Sequence, residues 1–226
     1  MSRSILVTGG ASGLGAAVVQ AAVGAGDRPY VIDRQAPADD VPWIACDLAD
    51  TRAAEAATRK AVAELGGLDG VVTAAGMDVP GRLGDVAAEV WERIVAVDLL
   101  ATAAVIRAAL PALTASHGNV VTIASTLGVK AVSDATAYCA AKFGVVGFTR
   151  ALAAELAGHV GVTLIVPGGM RTKFFDDRDE QYKPGPNAIL NDPANVAAAV
   201  MYAVSQPRGS AVRELVICAE QETSYP

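Results

Sequence analysis

TGGASGLG, residues 8–15, decides the fold of this chain. It follows the apolar run from Ser4 to Thr8, which is typical of a buried strand, and it opens a stretch that favours helix from about Gly13. A glycine-rich turn between strand and helix leaves backbone N–H groups and a helix N-terminus free to bind a pyrophosphate. We expect Gly9 to permit the tight turn, Gly13 to let the phosphate approach the backbone, and Gly15 to let helix and strand pack closely.

Short β-rich runs alternate with Ala-rich helical stretches along the rest of the 226 residues. This alternation predicts an α/β fold, in which helices cover both faces of a parallel sheet of about seven strands. The predicted strands are Ser4–Thr8, Pro29–Asp33, Val41–Ala45, Leu68–Thr73, Asn119–Ser125, Gly161–Val166 and Arg213–Cys218. The later helices are predicted at Thr51–Leu65, Val86–Leu113, Ala135–Ala157 and Pro193–Val204.

Composition limits the classes of function. A net charge of -6 and a pI near 4.9, without a cluster of Lys and Arg, argue against nucleic acid and anionic membranes as partners. The three cysteines form no metal or redox pair, and we see neither a signal peptide nor an apolar stretch of the ~20 residues that span a bilayer. We therefore expect a cytoplasmic protein whose residues 1–226 form a single domain.

Residues 173–191 form the only long stretch without clear periodicity. The stretch is polar at its centre and contains two prolines, and such segments in compact domains are usually functional lids or mobile loops. We expect a substrate lid here, with an ordinary surface loop as the alternative.

Asp33 bears on the choice of cofactor. It ends the second predicted strand 18 residues beyond Gly15, where a carboxylate can accept hydrogen bonds from the ribose diol of an adenosine. The same charge would repel a 2′-phosphate, so we predict NAD rather than NADP. Arg34 keeps NADP open because its guanidinium can fold over a phosphate, and Asp33 can also act simply as a loop cap.

Tyr138 and Lys142 stand four residues apart in YCAAK, within a stretch that favours helix. Both side chains then project from one helix face, about one turn apart. A free tyrosine has a pKa near 10, and a neighbouring ammonium favours its phenolate. The two residues make a plausible proton-transfer pair, although an isolated Y-x-x-x-K is more often a solvated helix face.

Several motifs taken together resemble the short-chain dehydrogenase/reductase family, whose members use NAD(P). They are TGGASGLG, Asp47 in CDLAD, Ala74–Gly76 as AAG, Ser125 in TIAS, YCAAK and PGGMRT, and they occur in the family's order. Ser125 precedes Tyr138 by thirteen residues, as the catalytic serine does in that family. The resemblance implies a doubly wound Rossmann sheet, with the active site beyond the carboxyl ends of its strands.

The resemblance also implies a role for each matching residue. Tyr138 would transfer the substrate proton, Ser125 would hydrogen-bond the substrate oxygen, and Lys142 would stabilise the phenolate and bind the nicotinamide ribose. The cofactor would also contact the turn and the later motifs, through Gly9, Ser12, Gly13, Leu14, Gly15, Asp33, Arg34, Asp47, Leu48, Ala74, Ala75, Gly76, Pro167, Gly168, Met170 and Thr172.

Asp98 is the main departure from the family pattern, because most members have an asparagine there. A carboxylate at this position can pair with Lys142 and hold it charged, yet it offsets the field that favours the Tyr138 phenolate. We therefore count Asp98 among the candidate catalytic residues. The alternative is that its side chain points away and only its backbone matters.

The leading hypothesis is an NAD-dependent dehydrogenase for a small secondary alcohol or its ketone. We expect Met77, Leu127, Met170, 132–134 and 173–191 to set the substrate, with Phe174, Phe175 and Ile189 lining an apolar pocket. The alternatives are a 3-oxoacyl-thioester reductase and an inactive dinucleotide-sensing or scaffold protein. We expect no metal, because His117 and His159 lie apart, and we expect a homodimer or homotetramer.

Overall fold

The computed structural model describes residues 2–225, which contain one sheet of seven parallel strands. The order across the sheet is β3-β2-β1-β4-β5-β6-β7. The strands are β1 Ser4–Thr8, β2 Arg28–Asp33, β3 Trp43–Ala45, β4 Gly70–Thr73, β5 Asn119–Ile123, β6 Gly161–Pro167 and β7 Glu214–Ile217. The predicted doubly wound α/β class is therefore confirmed.

Six α-helices connect the strands. They are α1 Gly13–Gly24, α2 Thr51–Leu65, α3 Ala88–Val95, α4 Ala101–Ser116, α5 Thr136–Glu155 and α6 Pro193–Val204. Side chains of β1 alternate between the two faces of the sheet, as a strand requires. Ile5 and Val7 pack under α1 and α6, whereas Leu6 packs under α2 and α4. Two apolar cores therefore hold the helices on opposite faces of the sheet.

The helix predicted at 86–113 needs correction. It begins at Ala88, extends to Ser116, and changes hydrogen-bonding pattern in the middle, where Ala96–Leu100 form a π-helical turn between α3 and α4. π-Helical turns are rare and are frequent at functional sites. Asp98 lies in this turn, which the sequence did not predict.

The same helical segment also corrects our expectation about apolar stretches. Ala88–Ser116 runs for 29 residues, and an 18-residue window within it has a mean hydropathy of 1.9. Buried core helices meet the same test of length and composition. Ile106, Ala109 and Leu113 of α4 belong to the apolar core beneath α2, which explains the composition.

The order of the strands creates a crevice at one edge of the sheet. From β1 the chain continues to β2 on one side, and later returns to β4 on the other. Thr8 and Thr73 are paired at the carboxyl ends of β1 and β4, on either side of this reversal. Open α/β sheets bind their ligands in the crevice beyond such a reversal.

Candidate active site

A cleft of about 970 Å³ lies beyond the carboxyl ends of the strands. Its volume is that of a site for a sizeable small molecule. One end is lined by the glycine-rich turn and Asp33, and the other by Ser125 and Tyr138. Many of the predicted cofactor-binding and catalytic residues line this cleft. They are Gly9, Ser12, Gly13, Leu14, Asp33, Arg34, Asp47, Leu48, Ala74, Ala75, Gly76, Ser125, Tyr138, Lys142, Pro167, Gly168, Met170 and Thr172.

The glycines of the turn differ in what surrounds them. Gly9 has a φ of +72°, and a Cβ there would lie 2.7 Å from Ala75 Cα. A Cβ on Gly15 would collide with the Gly9 carbonyl oxygen, so no side chain fits between helix and turn. Gly13 has a φ of +53°, but the nearest atom to its Cβ would be Thr172 Cβ at 3.6 Å, so this glycine faces the cleft. This open approach fits a phosphate at the start of α1.

Asp33 is held by the loops around it. Its Oδ2 accepts a hydrogen bond from the Ala11 N–H at 3.0 Å, and its Oδ1 accepts one from the Gln35 N–H at 3.1 Å. The capping role that we considered as an alternative is therefore present. The carboxylate nevertheless lines the cleft next to the turn, and each of its oxygens can accept further hydrogen bonds. Arg34 beside it is exposed.

Asp47 has a partner that the sequence did not predict. Arg93 Nη2 on α3 lies 2.7 Å from Asp47 Oδ2, and this hydrogen bond is the main reason why the pKa of Asp47 lies below its usual range. Both side chains line the cleft. The pair therefore closes the same end of the cleft as Asp33.

The predicted catalytic side chains come together at the other end. Ser125 follows β5 and caps a short 3₁₀ helix at Thr126–Gly128, where its Oγ accepts the Leu127 N–H at 3.1 Å. Tyr138 and Lys142 lie one turn apart on α5, with Lys142 Nζ 5.4 Å from the centre of the Tyr138 ring. Both are almost fully buried, at 9% and 4% exposure.

Lys142 is anchored from two sides. Its Nζ donates to the Ile123 carbonyl oxygen at 3.2 Å and lies 3.1 Å from Asp98 Oδ2, although the angle of this second contact is outside hydrogen-bonding geometry. Asp98 Oδ1 accepts the Met77 N–H at 2.8 Å. Asp98 therefore does not point away. Burial alone would lower the pKa of Lys142. The attraction of its ammonium to Asp98 and Tyr138 is the larger effect, so the pKa of Lys142 lies above its ordinary value.

Our expectation that Lys142 would favour the phenolate gave an incomplete account of Tyr138. Its pKa is raised in this structure, mainly because burial disfavours the charged form. Lys142 and the Ser125 hydroxyl act in the opposite direction, while the Asp98 and Asp78 carboxylates raise the pKa further. The phenol form of Tyr138 is therefore favoured near neutral pH.

The C-terminal residues form part of the cleft, which the sequence did not indicate. Glu222 Oε2 accepts the Gly169 N–H at 3.0 Å, beside Pro167–Met170. Ser224 Oγ is 2.6 Å from Thr126 Oγ1, next to Ser125. The segment after β7 thus packs against both the end of β6 and the 3₁₀ helix.

The expected substrate residues occupy the catalytic half of the cleft. Its wall includes Met77, Leu127, Met170, Phe174, Phe175 and Ile189, but Val132 to Asp134 are not among the lining residues. Sequence reasoning missed Asp78 and Arg178, which also line this half and form an ion pair at 2.9 Å. Asp78 follows the AAG motif at a distance of two residues, which was the only available signal.

One contact joins the two histidines, which are 42 residues apart in the chain. His117 Nδ1 lies 3.1 Å from the backbone carbonyl oxygen of His159. Among residues 2–225 no group of three or more His, Cys, Asp and Glu side chains is placed to hold a metal ion.

Comparison with known proteins identifies the family. A sequence profile described as short chain dehydrogenase matches residues 3–183. An L-fucose dehydrogenase of Mus musculus is 29% identical over 99% of this chain and 89% of its own length. A 2,5-dichloro-2,5-cyclohexadiene-1,4-diol dehydrogenase of Sphingobium indicum is 33% identical over 88% of each chain. The ligand-free aldohexose dehydrogenase of Thermoplasma acidophilum superimposes with a TM-score of 0.86 at 22% identity, over 96% of this chain and 92% of its own.

This chain belongs to the short chain dehydrogenase family. It is an oxidoreductase of a family that uses NAD(P), and the two curated relatives described above are named as dehydrogenases of small molecules with alcohol groups.

Proposed function

We propose that this protein oxidises a secondary alcohol to a ketone with NAD, or catalyses the reverse reduction, and that Tyr138 is the acid and base. The observation that carries the proposal is the meeting of Ser125, Tyr138 and Lys142 in one cleft with the glycine-rich turn. An inactive sensor of dinucleotides would not need these three side chains together, so enzymatic activity is favoured over that alternative.

Each catalytic side chain has a task that fits its position. In oxidation the phenolate form of Tyr138 accepts the hydroxyl proton, and in reduction the phenol donates a proton to the substrate oxygen. Ser125 hydrogen-bonds the substrate oxygen, because its hydroxyl can donate as well as accept. The same hydroxyl also favours the phenolate of Tyr138. Lys142, held charged by Asp98, stabilises the phenolate through space. Burial of the group excludes water and strengthens these interactions.

The residues of the other half of the cleft fit NAD. The pyrophosphate would lie at the turn against Gly13, and the adenosine ribose at Asp33, with Asp47 and Leu48 beside the adenine. Pro167, Gly168, Met170 and Thr172 would hold the nicotinamide half, whose C4 accepts the hydride when the cofactor is bound. A 2′-phosphate would meet the negative charge of Asp33, which supports NAD over NADP.

The substrate is a small alcohol in this proposal. The two curated relatives described above are named for substrates with more than one hydroxyl group, which favours a hydroxylated small molecule. The alternative of a 3-oxoacyl-thioester reductase is less well supported, because the exposed acidic residues Asp176, Asp177, Asp179 and Glu180 flank Arg178 in the chain, and Asp177 and Asp179 line the cleft. They would repel the phosphates of an acyl carrier.

The organisation of the protein is also proposed. Residues 1–226 act as one domain, and residues 173–191, which contain short 3₁₀ turns at Lys173–Phe175 and Glu180–Tyr182, act as a lid. Leu100 and Phe143 are exposed on the π-helical turn and α5, which favours a homodimer or homotetramer through these helices. We place the protein in the cytoplasm.

Titration of the purified protein with NADH and with NADPH, followed by nicotinamide fluorescence, tests the cofactor assignment. We expect NADH to bind at least about 10-fold more tightly, the effect of one charged hydrogen bond. Equal binding or a preference for NADPH would mean that Arg34 outweighs Asp33, and would favour the reductase. Absence of binding to either would contradict the proposal.

A further inference from the structure

One buried ion pair in the catalytic half of the cleft has no role in the proposal above. Arg178 Nη2 donates to Asp78 Oδ2 at 2.9 Å, and only 13% of the arginine side chain and 4% of the aspartate side chain are exposed. Asp78 follows β4, and Arg178 belongs to segment 173–191. The pair therefore joins the proposed lid to the floor of the cleft.

The hydrogen bonding of this pair is incomplete. Within the part of the chain that the structure describes, Asp78 Oδ1 and Arg178 Nε are both buried and have no hydrogen-bond partner. Buried polar atoms without partners are rare in native proteins because they lose hydration without compensation. One of these atoms accepts hydrogen bonds and the other donates them.

The pair lies close to the reacting group. The guanidinium carbon of Arg178 is 4.9 Å from the ring centre of Phe174 and 4.7 Å from that of Phe175. The Phe174 ring lies 5.8 Å from the Tyr138 ring, centre to centre. Phe174 thus packs against both the guanidinium of Arg178 and the ring of Tyr138.

Charge determines which ligand suits the pair. The two charges neutralise each other, so a substrate anion would meet the Asp78 carboxylate, and a substrate cation would meet the Arg178 guanidinium. A neutral hydroxyl group avoids both conflicts, because its hydrogen can be donated to Asp78 while its oxygen accepts from Arg178. Hydrogen bonds to charged groups are stronger than those between neutral groups.

We infer that Asp78 and Arg178 form a hydroxyl-binding subsite that selects neutral substrates with a second hydroxyl group near the one that is oxidised. This inference rests on the proposed function and adds the specificity-determining residues to it. Because both free atoms are out of contact with water, the substrate reaches them when segment 173–191 moves, and this segment closes again over the bound hydroxyl.

Cyclohexanol and cyclohexane-1,2-diol, as separate cis and trans isomers, provide a pair of substrates that differ by one hydroxyl group. We expect the wild type to oxidise one diol isomer with a kcat/KM at least about 10-fold above that for cyclohexanol, the effect of a hydrogen bond to a charged group. In the double variant Asp78→Leu with Arg178→Met this ratio falls toward one, mainly through a higher KM for the diol. Replacing both partners avoids leaving a buried charge unpaired.

The result would differ if the only role of the ion pair were to hold segment 173–191 closed. The double variant would then lose activity on both substrates equally. An unchanged ratio of the two kcat/KM values therefore overturns the inference. Lys183→Met serves as the matched control, since it removes the exposed ion pair with Glu180 on the same segment. The ratio in this control should equal that of the wild type.

Failure of the proposed function has its own signature, which is the absence of NAD reduction by the wild type with every alcohol. Saturation-transfer NMR of the diol and of cyclohexanol, with wild type and double variant in the presence of NADH, tests the subsite without turnover. Stronger binding of the diol to the wild type alone supports the inference. Equal binding of the diol to both proteins contradicts it.

Discussion

Lys142 Nζ lies 3.1 Å from Asp98 Oδ2, and the two side chains are 5% and 0% exposed. Most members of the family have an asparagine at this position. Here a carboxylate is in contact with the lysine whose Nζ lies 5.4 Å from the ring centre of Tyr138. This contact has two opposing effects, because Asp98 holds Lys142 protonated and also raises the pKa of Tyr138.

Replacement Asp98→Asn should move the pH profile of alcohol oxidation toward acid. The Asp98 charge raises the pKa of Tyr138, so its removal lowers that pKa, and the phenolate forms at lower pH. Activity should persist because the Ile123 carbonyl oxygen still anchors Lys142. The measurement is kcat/KM against pH, with the exposed Asp85→Asn as a control for the change in net charge. An unchanged profile would refute this role for Asp98.

Replacement Asp33→Asn should weaken the binding of NADH by about 10-fold or more, since a charged acceptor for the ribose diol is lost. NADPH should lose less or gain, because the repulsion of its 2′-phosphate is relieved. Fluorescence titration of both cofactors measures the two affinities. The melting temperature reports separately on the loop that Asp33 caps through Ala11 and Gln35, and a parallel loss for both cofactors would speak against the ribose contact.

Replacement Gly13→Ala should abolish tight cofactor binding while the protein still folds. The methyl group enters the cleft where the phosphate would lie, and the positive φ costs about 1–2 kcal/mol of stability. Gly24→Ala is the matched control, because a Cβ there meets nothing within 4 Å. Undiminished binding of NADH by Gly13→Ala would place the phosphate elsewhere.

Replacement Glu222→Ala should raise the KM for NAD by about 10-fold, because the charge-assisted hydrogen bond to the Gly169 N–H is lost beside the proposed nicotinamide contacts. Steady-state kinetics with varied NAD measures the effect. Glu220→Ala, which removes an exposed carboxylate two residues away, is the control. Equal KM values in the two variants would show that the C-terminal segment does not support the cofactor site.

Local sequence signals were sufficient for the architecture. β1, α2 and α6 have the predicted boundaries, because the apolar run before the glycine turn, the glycines that end α2 at Gly66 and the Asp192-Pro193 start of α6 are all local signals. The remaining strands were predicted within two residues at each end. The π-helical turn could not be predicted, since nothing in RIVAVDLL distinguishes it from an α-helix.

The site was predicted where residues belong to recurring motifs, and missed where contacts depend on tertiary structure. Ser125, Tyr138 and Lys142 line the same cleft, as the family resemblance implied. Arg178 lies 100 residues from Asp78 in the chain, so their ion pair had no local signal. The raised pKa of Tyr138 was also inaccessible, because it depends mainly on burial, whereas the sequence showed only the nearby lysine.

The most direct test of the account is reduction of NAD by the wild type and by Tyr138→Phe, followed at the absorbance band of the reduced nicotinamide with a panel of secondary alcohols and diols. We predict turnover by the wild type and a loss of about 10²–10⁴-fold in the variant, the usual contribution of a general base, with unchanged binding of NADH. Equal turnover by the two proteins would contradict the assignment of Tyr138 as the acid and base.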